Sequence, residues 1–462
     1  MLKGKNVLIF VSGSIAAYKI LDVISALRKE KANIKVVASK AALRFVTPLS
    51  FEALSNTKLL SDESEDWSDK INGLNHISFA KWANIALFAP LSANSLNKLA
   101  YGIADNVYLS TAIALRTIPK LIAPSANNFM LEAPQSLNSL KILKSYGYEV
   151  IEPELKMLAC GDEGKGALAS VDEIVFRVKR SLLQTSFWKD KEVVITGGGS
   201  IEKIDDIRCI SNFSSGLQAS YLALALYFLG AKVTLISSKF PLSLPTGVKI
   251  HEVASSKEYK ERLDMTLDSI SQGYLFMAAA ISDYVPKAKL GKIKKTDSPN
   301  SLDLKLDLNT DILKSITKAN IIKVGFKAEH ENSSSEKDAL QSALSLMKEK
   351  GCKYVCLNLL DEKSFSSNKD NNQMILLSTN KRQVKTDRLS KLEISFEIAR
   401  FIEEEEFLYS KKPSAESNLA HKVESNLETK LDSKTESKTK LSNKARLEQK
   451  AMQVKRALSS KP

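Results

Sequence analysis

The feature that most constrains this chain is a pattern of short apolar runs that breaks off and begins again. Residues 6–11 form the first run. Helical spacing follows at Ile20, Leu21, Ile24 and Leu27, and further runs lie at 34–38, 84–89 and 120–123, the last two closed by Pro90 and Pro124. Continuous runs this short, separated by helical patterns, predict parallel strands covered on both faces by helices. The series restarts after Phe187-Trp188-Lys189-Asp190. A run at 192–196 ends in Gly197-Gly198-Gly199, and a long helix is expected over about 215–229, closed by Gly230. Runs at 233–237, 274–280, 324–326 and 354–357 follow, while Leu302, Leu304, Leu306 and Leu308 alternate with polar residues and predict a half-exposed strand. Two such series in 462 residues predict two α/β domains, 1–185 and 189–405.

Beyond about residue 410 the aromatic residues stop and Ser, Lys, Glu, Asn and Thr dominate. Such a composition cannot bury enough apolar area to offset its ordering entropy, so 410–462 is expected to be a disordered basic tail. It also explains the charge. The chain carries a formal +14, but residues 410–462 hold 13 Lys/Arg against 6 Asp/Glu, so half the excess lies in the tail. No basic patch interleaved with aromatics is present, and no nucleic-acid partner is expected. No apolar run approaches the roughly 18 residues of a membrane helix, and the first run is too short for a signal peptide, so the expectation is no membrane and a cytoplasmic location. Of four cysteines, Cys352 and Cys356 lie near an apolar run and are expected in the core.

In a doubly wound sheet, ligands bind beyond the carboxyl ends of strands, near helix N-termini. Ser12-Gly13-Ser14-Ile15-Ala16-Ala17 lies at such a place; its small residues suit an anion, and equally a plain strand–helix turn. Ser92-Ala93-Asn94 and Asn127-Asn128 follow later strands, where carboxamides could hold a carboxylate. His76 stands alone, which most often means a structural histidine. Cys160 sits in Cys160-Gly161-Asp162-Glu163-Gly164, a setting for an accessible thiol rather than a core one.

The ordered set Gly13-Ser14-Ile15-Ala16-Ala17-Tyr18-Lys19, Thr47-Pro48-Leu49-Ser50, His76 with Lys81-Trp82-Ala83, Ala89-Pro90-x-Ser92-Ala93-Asn94, Pro124-x-x-Asn127-x-x-Met130 and Cys160-Gly161-Asp162-x-Gly164 resembles the flavin-dependent cysteine decarboxylases, specifically phosphopantothenoylcysteine decarboxylases, over nearly all of residues 1–180. The resemblance implies a flavodoxin-like fold that binds FMN, contacted at Gly13, Ser14, Ser39, Ser92, Ala93 and Asn94, with trimers placing the flavin near a subunit interface. It implies oxidation of the cysteinyl end of the substrate to a thioaldehyde, which loses CO2 as an enethiolate before the electrons return. His76 matches the active-site histidine, Asn127 the carboxylate-binding asparagine, and Cys160 the proton donor on a flap. Ala126 and Ala167 depart from the Met and Arg usual at those places.

In the second series Gly197-Gly198-Gly199-Ser200 could cradle an anion, and serines at 214–215 could cap the long helix. No GxxxxGK[ST] is present. Ile210-Ser211-Asn212-x-Ser214-Ser215-Gly216, Ala279-Ala280-x-x-Asp283-Tyr284, Lys292-x-Lys294-Lys295, Gly325-Phe326-x-Ala328-Glu329 and Asn358 resemble phosphopantothenate–cysteine ligases over about 189–400. That resemblance implies a Rossmann-like domain that uses CTP and Mg2+ to turn 4′-phosphopantothenate into an acyl-cytidylate, which the cysteine amine attacks. Asn212 and Lys292 would be catalytic; Arg208 would lie by phosphopantothenate; Ala279, Asp283, Lys292, Phe326 and Lys350 would contact substrate or nucleotide. No metal-ligating side chain is assigned; Mg2+ would arrive on the triphosphate. Fused forms are expected as homo-oligomers built on trimers, up to a dodecamer. Leu217-Gln218-Ala219 stands where Lys-Met-Gly is common, and Leu346 where a lysine is usual. The alternative attached to Leu346 is a chain in which only the decarboxylase half is active.

Overall fold

Strand β1 (Asn6–Val11) pairs in parallel with β2 (Asn33–Ala38) on one side and β3 (Ile85–Leu91) on the other. With β4 (Lys120–Pro124) and β5 (Tyr148–Val150) the order is β2-β1-β3-β4-β5, all parallel, so the first half is flavodoxin-like. This computed structural model describes residues 1–71, 73–157, 161, 163–294, 301–330, 335–360 and 371–410. Alternate side chains of β1 feed two cores. Val7, Ile9 and Val11 meet α1 (Ile20–Lys29) and α2 (Pro48–Ser55). Leu8 and Phe10 meet α3 (His76–Trp82), α4 (Ala93–Ala100) and α5 (Val107–Ile113). Phe10 stacks on Phe88 at 4.3 Å between centroids. Each fully buried large apolar side chain contributes roughly 1.5–3 kcal/mol, which is why these strands are apolar on both faces.

After β4 come α6 (Asn128–Glu132), α7 (Pro134–Ser145) and a hairpin of β6 (Glu154–Met157) and β7 (Glu163–Ala167). Helix α8 (Val171–Leu183) covers the first core through Ile174 and Val178 and ends the first half.

The second half opens with β8 (Glu192–Gly197), then a small ladder of β9 (Ile201–Lys203) and β10 (Cys209–Ser211), then α9 (Leu217–Phe228). It continues through β11 (Lys232–Ser237), β12 (Lys249–Glu252), α10 (Ser256–Asp268) and β13 (Gly273–Met277). A two-stranded ribbon of β14 (Tyr284–Pro286) and β15 (Leu306–Leu308) precedes α11 (Ile312–Ser315), β16 (Ile321–His330), α12 (Glu336–Lys350) and β17 (Tyr354–Leu360). Then come β18 (Asn371–Asn372), β19 (Met374–Ser378), β20 (Gln383–Lys385), β21 (Leu389–Ser390) and α13 (Lys391–Ser410). The main sheet runs β12-β11-β8-β13-β16-β17-β19-β20. Its first six strands are parallel and keep the Rossmann order; β19 and β20 are antiparallel additions.

Residues 1–402 form one compact unit holding both sheets; α13 runs on to Ser410, the first residue of the expected 410–462 tail, and 411–462 lie outside the described residues. Cys352 and Cys356 are buried, as expected. The strand expected over 302–308 is confined to Leu306–Leu308, and all four leucines there are exposed, because the β14–β15 ribbon stands apart from the main sheet. The long helix begins at Leu217 with Gly216 as its N-cap at φ +73°, so no serine side chain occupies the cap; Ser215 Oγ instead accepts the Leu217 N–H at 3.3 Å.

Candidate functional site

Each sheet leaves a cavity beyond the carboxyl ends of its strands where the strand order reverses, the place topology reserves for ligands. The first, of about 720 Å³, falls within the roughly 300–1,000 Å³ of ordinary cofactor sites. Gly13 and Ser14 reach it from the end of β1, Ser39 from β2, Ser92, Ala93 and Asn94 from β3 and α4, and Asn127 from the turn after β4. Ser92 caps α4 by accepting the Ser95 N–H at 3.3 Å. The Ala93 and Asn94 amides open that helix, where N–H groups have no intrahelical partner and the helix dipole is positive. Ser14 Oγ lies 3.3 Å from Ser125 Oγ, a second hydroxyl on the wall. Tyr108 Oη is buried there without a hydrogen-bond partner among the described residues, and burial pushes its phenol up. Anion donors at one end and an orphaned hydroxyl inside suit the FMN that the resemblance implies.

Asn127 caps α6, its Oδ1 accepting the Phe129 N–H at 2.9 Å. The β6–β7 hairpin closes over this turn. Ala126 N–H donates to Gly166 O at 3.2 Å, and a Cβ on Gly166 would lie 2.1 Å from Ala126 O, so the approach requires glycine. Met157 and Gly166 put the hairpin on the cavity wall; Cys160 and Asp162, between its strands, lie outside the described residues.

His76 is not on that wall. It opens α3, which Asn75 caps by accepting the Ser78 N–H at 2.8 Å. Its Nδ1 lies 2.7 Å from Glu65 Oε1, which also accepts the His76 N–H at 3.2 Å, and Trp67 meets the ring edge-on at 5.2 Å. Exposed apolar side chains, Ile15, Tyr18, Phe45, Met130 and Met157, line the cavity.

The second cavity, of about 1120 Å³, is bounded by 211–219 ahead of α9 and by 278–283 after β13. Asn212, Ala279, Asp283 and Phe326 line it, as the sequence suggests. Asn212 Nδ2 donates to the carbonyls of Ala280 and Ile281, both at 3.3 Å. Gln218 Oε1 and Asn358 Oδ1 are buried acceptors on this site without partners among the described residues, so a ligand bearing N–H or O–H donors suits it. The triple glycine does not line it. Gly199 is instead where the chain passes against Asn212, whose carbonyl would stand 2.7 Å from an added Cβ, and the Ser200 and Ala280 amides bond to Ala280 O and Gly198 O.

Arg208, Lys292 and Lys350 do not line the cavity. Lys350 pairs with Asp311 at 3.0 Å. Arg208 and the segment carrying Lys292 are gathered by Asp205, which accepts from the amides of Ile207, Arg208 and Ile293 at 2.8, 2.7 and 3.1 Å and from the Arg208 guanidinium. Burial alone would raise the Asp205 carboxyl, but these backbone and guanidinium donors outweigh it and hold it down at about 2. Arg208 also donates to Ile293 O at 2.7 Å. Sequence reasoning missed the cations that do line the cavity, Lys239, Lys327 and Lys391, and in the first cavity Asp62, Tyr108 and Ser125. Ser125 directly follows a strand end and Lys239 lies two residues beyond one, so both could have been found by position. The others depend on how distant elements meet. Among the described residues no group of three His, Cys, Asp or Glu could hold a metal ion, and no helix is long and apolar enough to cross a membrane.

Residues 1–183 match the family described as flavoprotein, and residues 188–405 match the DNA/pantothenate metabolism flavoprotein C-terminal domain. The chain is 33% identical over 407 residues to the coenzyme A biosynthesis bifunctional protein CoaBC of Borreliella burgdorferi, covering 87% of this chain and 100% of that protein. To the protein of the same name from Bacillus subtilis it is 34% identical over 408 residues, covering 87% and 97%.

Proposed function

This chain belongs to the family of bifunctional coenzyme A biosynthesis proteins, enzymes with a phosphopantothenoylcysteine decarboxylase half and a phosphopantothenate–cysteine ligase half, and we propose that each reaction is housed in one of the two cavities. Domains 1–185 and 189–405 divide the chemistry.

In the ligase half, CTP and 4′-phosphopantothenate occupy the second cavity. A carboxylate is a poor electrophile. Attack on the α-phosphorus of CTP makes it an acyl-cytidylate and releases pyrophosphate; the cysteine amine then forms the amide and releases CMP. Lys239, Lys327 and Lys391 line this cavity and offset the triphosphate's charge together with Mg2+ carried on the phosphates. Asn212 serves the acyl-cytidylate, Ala279, Asp283 and Phe326 hold the nucleotide, and Arg208, which lies off this wall, is assigned to phosphopantothenate by resemblance alone. Lys292 and Lys350 are assigned to the triphosphate and nucleotide by resemblance alone. Leu346 packs into the core, 2.9 Å from a Cβ built on Gly325, and supplies no cation; the three lining lysines favour a working ligase over a decarboxylase-only chain.

In the decarboxylase half, Gly13, Ser14, Ser39, Ser92, Ala93 and Asn94 would hold FMN, which when bound would take two electrons from the cysteinyl end so that CO2 can depart and would return them to the decarboxylated product. Asn127 orients that carboxylate, the hairpin excludes water, and Cys160 on it delivers the proton that completes the product. His76 lies off the wall of its own cavity, and exposed apolar side chains line that cavity. The site is therefore completed by a second copy, whose His76 faces the substrate, in a homo-oligomer built on trimers and extendable to a dodecamer. A cytoplasmic enzyme acting on small molecules, with no nucleic acid or membrane partner, fits this chemistry.

The observation that carries the reading is the convergence of seven residues from four strand ends, Gly13, Ser14, Ser39, Ser92, Ala93, Asn94 and Asn127, on one cavity. Titration of the purified chain with FMN tests it. Tight, saturable uptake giving a yellow protein with a perturbed flavin spectrum is expected; a chain that stays colourless in excess FMN rejects the assignment.

A further inference from the structure

We propose that Glu65 is the positioning residue for His76, fixing the tautomer and plane of its imidazole so that Nε2 is the nitrogen presented to the decarboxylation substrate. The inference rests on the reading that His76 serves that reaction.

The geometry points to Glu65. A carboxylate only accepts hydrogen bonds, so Glu65 Oε1 at 2.7 Å from Nδ1 requires the proton on Nδ1 and leaves Nε2 as the nitrogen Glu65 does not engage. The same oxygen accepts the His76 backbone N–H at 3.2 Å, so ring and backbone are held by one atom and the ring cannot swing without breaking the bond. Trp67, two residues along, closes one side of the ring edge-on at 5.2 Å. Glu65 and His76 are both largely buried, with side chains 19% and 25% exposed, which strengthens the bond over an exposed pair.

The loop bearing Glu65 is itself tied down. Ser61 N–H donates to Ser64 Oγ at 2.8 Å, the Glu65 N–H reaches Ser61 O at 3.1 Å, and Asp66 N–H reaches Leu74 O at 2.8 Å, next to the cap of α3. Three residues before Glu65, Asp62 lines the first cavity and accepts the Val107 N–H at 2.7 Å. One short loop therefore joins the cavity of its own subunit to the histidine. No resemblance singled out Glu65; the loop only becomes informative once α3 brings His76 back against it.

The test uses the full-length, FMN-loaded protein with phosphopantothenoylcysteine as substrate, measuring kcat and KM for Glu65→Gln, Glu65→Asp, His76→Asn and the Glu65→Gln/His76→Asn double variant. Melting temperature and flavin absorbance report folding. Glu65→Gln is expected to lower kcat roughly 10- to 100-fold with KM within about twofold, short of the roughly 10²–10⁴-fold carried by an acid–base group itself. Glu65→Asp, which keeps the charge, recovers part of that loss. In the His76→Asn background Glu65→Gln adds nothing, because its effect passes through the ring. A Glu65→Gln enzyme at wild-type kcat beside an impaired His76→Asn overturns the proposal and spares the reading of His76, and so does a full, independent loss in the double variant. Wild-type turnover by His76→Asn overturns both.

Discussion

Cys160 and Asn212 carry the sharpest claims about single side chains. With Cys160 as the final proton donor, Cys160→Ser is expected to bind FMN normally, release CO2, and stall on the oxidised side of the reaction, with 4′-phosphopantetheine formation down roughly 100-fold or more; mass spectrometry of the bound species checks this, and full turnover refutes it. With Asn212 in its proposed role, Asn212→Asp places a negative charge beside the acyl-cytidylate, so amide formation should fall at least about tenfold, with acyl-cytidylate accumulating or never forming; an unchanged ligase rate contradicts the role. Asn127 and Asn212 were legible because each follows a strand end in an ordered motif, and the fold put both on cavity walls. His76 was legible as a motif member but not as a partner of Glu65. That pairing is a contact between a loop and a helix start eleven residues apart, and no periodicity encodes it. Lys350 marks the limit of resemblance: mapping it to a nucleotide contact said nothing of Asp311, which holds it at 3.0 Å.

Elements were more legible than sites because both sheets are built from continuous apolar runs, whose burial on two faces leaves little choice of structure. Extended, exposed segments were less so. The alternating leucines at 302–308 read as a half-buried strand, yet only three residues pair and none of the leucines is buried, since alternation gives a face but not a sheet to cover it. The β9–β10 turn and the 291–293 segment hold together through Asp205, and here charge sets a pH dependence. Its carboxyl is held at about 2 against an ordinary 3.8, so in the folded protein the group stays ionised longer. The stabilisation it gives is complete above about pH 4 and is lost as the pH falls to about 2. Hydrogen exchange at 205–208 and 291–293 should be faster in Asp205→Asn than in wild type near neutrality, with the difference closing between about pH 4 and about pH 2. A difference that persists unchanged at low pH would show that the loop is held by something else.

At the scale of the whole molecule, α8 binds the two halves. Glu173 accepts the Thr246 N–H and Oγ1–H at 2.9 and 2.8 Å, and Arg180 donates to the carbonyls of Tyr227, Gly230 and Ala231 behind α9, closing the polar end of that helix. None of these bonds was visible in the sequence, which reports runs within a half and not what crosses between them. Beyond one chain, the separation of His76 from its own cavity makes a prediction about assembly. His76→Asn and Asn127→Ala should each be inactive in decarboxylation, but subunits mixed by dissociation and reassembly should regain about a quarter of wild-type activity, since random neighbours then form some intact shared sites. Persistent inactivity after verified exchange would mean that each site draws both residues from one chain. The claim on which the rest depends is that one polypeptide performs both reactions in sequence. It is tested by incubating the purified, FMN-loaded chain with CTP, Mg2+, cysteine and 4′-phosphopantothenate and following the thiol product by mass. The expected result is 4′-phosphopantetheine formed only when CTP is present, with one CMP and one CO2 per product; a preparation that holds FMN yet yields no CTP-dependent 4′-phosphopantetheine would contradict it.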